Sequence, residues 1–201
     1  MRFDVVVFDF DGTLVDSAAA KYRAFFDLFA DTAAHRDVVR AVLAADPDGS
    51  RHVVIPRMVN ELTKLGLSLP QLDPVTAYGL AASRAMRAAP EFPGASDMLN
   101  RLKERMHVYI SSAAPREIIL SEAETRGWSS WLSGIHGYPE KKAEVVRAIL
   151  EREGIKPDRL AVVGDGISDA EAARLNNCPF FKITEPADLA RAGQQLELDD
   201  V

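Results

Sequence analysis

The run Val5-Val6-Val7-Phe8 is apolar at every position and ends against Asp9. A strand with one wet face alternates apolar and polar residues. An unbroken apolar run instead marks a strand buried on both faces, as in a parallel sheet covered by helices. His107 to Ile110, Leu160 to Val163 and Pro179 to Ile183 are runs of the same kind, with a weaker one around Ile135. Helical patterns occupy about 94–105, 115–126, 141–153 and 168–175, following nearly every run. The alternation predicts an α/β fold, a Rossmann-like, doubly wound parallel sheet.

The chain between Phe8 and His107 is far longer than one crossover helix requires. It is rich in alanine and leucine and reads as four helices, near 17–33, 35–45, 52–66 and 73–89. The breaks fall at Asp46-Pro47-Asp48-Gly49 and at Gly66 to Pro70. The expected organisation is therefore an α/β core of residues 1–15 and 91–201, with a helical domain, residues 16–90, inserted after the first strand. Ala88 to Gly94 forms the return linker. Residues 16–90 hold nine Lys and Arg against eight Asp and Glu; the rest holds fifteen against twenty-two.

The formal charge of −6 argues against a nucleic-acid partner. No apolar stretch reaches the ~18 residues that suggest a membrane span, and no secretory leader is read. The single cysteine, Cys178, leaves no internal disulfide or multi-cysteine metal site. These features predict a cytoplasmic protein.

Ligands of open α/β sheets bind beyond the carboxyl ends of the strands. The first run is followed by Asp9, Asp11, Gly12 and Thr13, and the second by Ser111 and Ser112. The weak run leads to Gly137, Pro139, Lys141 and Lys142, and the fourth to Gly164-Asp165 and on to Asp169. Clustered aspartates repel one another unless a cation neutralises them, and an all-oxygen set suits Mg²⁺. With a metal present, one carboxylate can attack phosphorus while a second donates and accepts the proton. Serine hydroxyls, loop N–H groups and a lysine suit the oxygens of a phosphoryl group.

The motifs are Asp9-Phe10-Asp11-Gly12-Thr13, then Val108-Tyr109-Ile110-Ser111, a lysine, and Gly164-Asp165 through Asp169. In this order they resemble the haloacid-dehalogenase-like superfamily. The likeness is to its capped phosphatase branch, with phosphoglycolate phosphatase and beta-phosphoglucomutase relatives. The frame Gly137-Tyr138-Pro139-Glu140-Lys141-Lys142 resembles members reading G-x-P-x-x-K, which favours Lys142 over Lys141.

The resemblance implies a Mg²⁺-dependent phosphatase that hydrolyses a small phosphorylated metabolite through an aspartyl phosphate. Asp9 would be nucleophile and metal ligand, and Asp11 the acid/base with its backbone carbonyl on the metal. Asp165 would complete the metal ligands, and Asp169 would orient the lysine or a metal-bound water. Ser111 and Lys142 would hold the phosphate, with Gly12, Thr13 and Ser112 beside them. The insertion would be a mobile cap selecting the substrate, with Lys21, Arg23, Arg51, His52, Arg57, Arg84 and Arg87 as candidate contacts. A monomer or homodimer is implied. A sugar phosphomutase on the same scaffold is an alternative, weakened because Lys21 stands where related mutases show histidine. A non-catalytic phosphate-binding relative is another.

Overall fold

Valine and phenylalanine at every position of β1 (Val5–Phe8) place it at the centre of the sheet, where both faces are covered. The computed structural model describes residues 2–47 and 49–197; Asp48, in an expected turn, lies outside them. The other strands are β2 (His107–Pro115), β3 (Gly134–Tyr138), β4 (Leu160–Gly164) and β5 (Phe180–Lys182). All pair in parallel, in the order β3-β2-β1-β4-β5.

Two compact units are described separately, residues 1–16 with 90–201 and residues 17–89. In the first, Val5 and Val7 pack with Val145, Val146 and Ile149, together with Ala172 and Ala173. The latter residues come from α7 (Lys142–Glu153) and α8 (Ile167–Asn176), which cover one face. This unit also carries α5 (Ala95–Leu102), α6 (Arg116–Thr125) and α9 (Pro186–Glu197). In the second unit, α1 (Ala18–Phe26), α2 (Ala33–Ala45), α3 (Arg51–Lys64) and α4 (Pro74–Ala88) share a core of Phe25, Val39, Leu43, Ile55, Met58 and Tyr78.

Three elements differ from the expectation. The first insertion helix stops at Phe26 rather than running to 33. Thr32 is extended there, and its hydroxyl accepts the His35 N–H, starting α2 afresh. Strand β2 continues past Ile110 to Pro115, with an irregularity between Ser111 and Pro115 where it follows β3. Helix α9 lies beyond the helical patterns read from the sequence; Asp188 gathers the N–H groups of Thr184 and Glu185 at its start, and it buries Leu189, Ala192 and Leu196. Among the described residues no helix is long and apolar enough to cross a membrane.

Candidate active site

Register decides what meets at the carboxyl edge. Phe8 pairs with Ile110 on one side and Val163 on the other. The next residues, Asp9, Ser111 and Gly164, are therefore level across three adjacent strands, and the Asp9 N–H donates to Val163 O at 2.8 Å. Residues 10–15 then form a tight loop in which Gly12 donates to Val15 O, while Leu14 and Val15 donate to Phe10 O. Gly12 has φ +80°, a conformation open to glycine at no steric penalty.

Lys142, at the first position of α7, sends its ammonium to this edge. Nζ lies 2.8 Å from Asp9 Oδ1 and 2.7 Å from Asp169 Oδ1. Lys141 is exposed. The second oxygen of Asp169 accepts the Gly166 N–H at 3.2 Å, so one carboxylate caps α8 and holds the lysine. Thr13 Oγ1 lies 3.5 Å from Asp165 Oδ1. Carboxylate oxygens of Asp9, Asp165 and Asp169 all fall within 4.8 Å of one another.

Not every candidate joins that cluster. The Asp11 carboxylate is outside the group of three, on a half-buried residue of the loop. Ser111 and Ser112 are buried, and Ser112 Oγ accepts the Ala114 N–H at 3.1 Å. Gly164 carries a role that the motif alone does not disclose, because a Cβ there would lie 2.3 Å from Asp169 Cγ. The signal was the glycine directly before Asp165, but its meaning depends on where Asp169 folds back.

The electrostatics describe a site short of positive charge. Burial, then the neighbouring charge of Asp9, pushes the Asp165 carboxyl up to about 7. Asp169 is pushed up to about 7 by the same two causes, in spite of its lysine partner. Burial works against the Lys142 charge, but Asp9 and Asp169 outweigh it and hold the ammonium above its usual range. With all three carboxylates ionised, the single ammonium would leave two negative charges uncompensated, which together with burial is why Asp165 and Asp169 hold their protons so strongly. A hard divalent cation matches that deficit and the all-oxygen donors.

The haloacid dehalogenase-like hydrolase family model matches residues 3–176. Phosphoglycolate phosphatase of Synechococcus elongatus is 28% identical over 217 residues, covering 95% of this chain and 97% of that protein. Phosphoglycolate phosphatase 1 of Pseudomonas aeruginosa is 24% identical over 177 residues, covering 85% of this chain; the chain spans 65% of that relative's length. The magnesium-bound HAD-hydrolase YfnB of Bacillus subtilis shares the fold at a TM-score of 0.70 and 17% identity, over 98% of this chain and 100% of that one.

Proposed function

This chain belongs to the haloacid dehalogenase-like hydrolase family, and from that premise we propose that it is a Mg²⁺-dependent phosphatase acting on a small phosphorylated metabolite. The observation that carries the reading is the Lys142 ammonium held between Asp9 and Asp169, with the Asp165 carboxylate completing an all-oxygen cluster beside them.

Asp9 is the nucleophile. Its carboxylate attacks phosphorus, the ester P–O bond breaks, and Asp11 gives its proton to the departing alkoxide. Asp11, now ionised, takes a proton from water. The water oxygen attacks the phosphorus of the aspartyl phosphate, releasing inorganic phosphate and restoring the Asp9 carboxylate. Lys142 offsets the charge of Asp9 and of the transferring group, while the Ser111 hydroxyl donates to a phosphoryl oxygen. Asp169 positions Lys142. Gly12 and Thr13, in the loop after β1, and Ser112, in β2, complete the phosphate-binding set beside Ser111. The carboxylates of Asp9 and Asp165 and the backbone carbonyl of Asp11 would hold Mg²⁺. When bound, the metal supplies charge compensation for the phosphoryl oxygens. We read residues 17–89 as the family's cap and the source of substrate selection. The same reading proposes a cytoplasmic enzyme acting as a monomer or homodimer.

The test is phosphate release from a panel of esters with and without Mg²⁺. 2-Phosphoglycolate heads the panel, given the names of the two relatives, followed by sugar phosphates, nucleotides and amino-alcohol phosphates. Turnover that requires Mg²⁺ and vanishes in Asp9→Asn is expected. An active Asp9→Asn protein would remove Asp9 as nucleophile, and silence across the whole panel would overturn the phosphatase reading.

A further inference from the structure

Glu91 is fastened to both the middle and the end of the segment that carries Asp9 and Asp11. Its backbone forms an antiparallel bridge with Val15. Asp16 donates to Pro90 O and Phe92 to Leu14 O, each at 2.9 Å, on either side of that bridge. Its carboxylate accepts the Ser96 hydroxyl at 2.5 Å, and Ser96 Oγ accepts Trp128 Nε1–H at 2.8 Å. The fully buried indole meets the Phe10 ring edge-on, with centroids 5.9 Å apart at 61°. Phe10 is the residue between the two acids.

The surroundings of this chain of contacts are ionic. The Arg126 guanidinium lies 5.8 Å from the centroid of the Trp128 ring. It also stands 3.9 Å from Glu91 and 3.6 Å from Glu122, and the Arg126 and Glu122 side chains are only 11% and 4% exposed. Withdrawing such groups from water gains little over apolar packing, whereas their directional contacts hold one geometry. Here that geometry ends on the ring of the residue between the two acids.

We propose that Ser96 and Trp128, anchored by Glu91, are positioning residues for the Asp9–Asp11 segment, fixing the relative placement of its two carboxylates through Phe10. The inference rests on the phosphatase reading for what that placement is used for. Neither residue touches the phosphoryl group.

The chain has two tryptophans, so Trp131→Phe leaves Trp128 as the sole tryptophan, excited selectively over the tyrosines at the red edge of their absorption. Its fluorescence is read while MgCl₂ and beryllium fluoride, a phosphoryl stand-in for Asp9, are added together. A saturable change that is lost in Asp9→Asn and diminished in Ser96→Ala is expected; no change overturns the proposal, and this arm requires no turnover. In the second arm, Ser96→Ala, verified as folded by circular dichroism, is expected to lower kcat about 10-fold with KM held within about twofold. Ser96→Thr, which keeps the hydroxyl, is expected to restore kcat. An unchanged kcat in folded Ser96→Ala overturns the positioning role while leaving the phosphatase reading intact. A Trp128 response in a protein inactive on the whole ester panel overturns the phosphatase reading instead.

Discussion

A methyl group on Gly164 would sit 2.3 Å from the carboxyl carbon of Asp169. Glycine is needed there for space, since the carboxylate that holds Lys142 occupies the volume a side chain would fill. Gly164 and Asp169 are thus one steric unit.

Gly164→Ala is therefore expected to push Asp169 off Lys142 and to lower kcat by about 10- to 100-fold, with a smaller effect on KM. Steady-state kinetics and a thermal melt check this. A variant with unaltered kcat would mean that Asp169 can retreat without losing its lysine.

Lys142→Met removes the ammonium shared by Asp9 and Asp169, leaving three buried or half-buried carboxylates without their cation. Phosphatase activity is expected to fall at least ~100-fold. Lys141→Ala, at an exposed position, is expected to keep kcat and KM within about twofold. Comparing the two variants on one substrate separates the adjacent lysines.

Stability of the metal-free protein is expected to fall as pH rises towards neutrality. In the fold, Asp165 and Asp169 keep their protons up to about 7, whereas an unfolded chain releases them near ~3.9. Between those values the folded state binds more protons, so each rise in pH favours unfolding, and the loss is complete above the folded value. The Lys142 contribution stays constant through this window, because its raised affinity is lost only in the alkaline range. Melting curves without metal are expected to drop by about 5 °C from mildly acidic to mildly alkaline pH. Excess MgCl₂ should recover most of that at the alkaline end and little at the acidic end, since binding needs ionised carboxylates. Asp165→Asn should flatten the profile; an unchanged slope would contradict the assignment.

Tyr109 is a fully buried residue of β2, and its hydroxyl donates to Glu153 Oε1 at 2.5 Å. Burial, then Glu153, pushes the phenol up to about 12. Tyr109→Phe deletes that bond away from the carboxylate cluster and is expected to cost about 1 kcal/mol, seen as ~2–4 °C in Tm, with kcat unchanged.

Much of the sheet was legible because buried parallel strands leave unbroken apolar runs, and residues following those runs must gather at one edge. That reasoning brings Asp9, Ser111, Asp165 and Asp169 into one neighbourhood. It could not separate Lys141 from Lys142, because adjacent residues at a helix start differ by about 100° of rotation, and only the packed helix fixes which ammonium points inward. The contact between Ser96 and Trp128 was hidden for another reason. It joins residues far apart in sequence through a single hydrogen bond, and no periodicity records such a pair. The end of α1 was missed because alanine-rich sequence continues past Phe26, while the competing signal is one hydroxyl, that of Thr32.

The ladder at Val15 and Glu91 also bears on how such a chain can be rebuilt. The points where the polypeptide leaves and re-enters the α/β unit are already hydrogen-bonded neighbours, through Asp16 and Pro90. A short turn could join them without stretching either strand, so the intervening helices form an exchangeable module. If residues 17–89 select the substrate as proposed, recombination at these two adjacent residues exchanges that selection in one genetic step, without redrawing the wiring of the sheet.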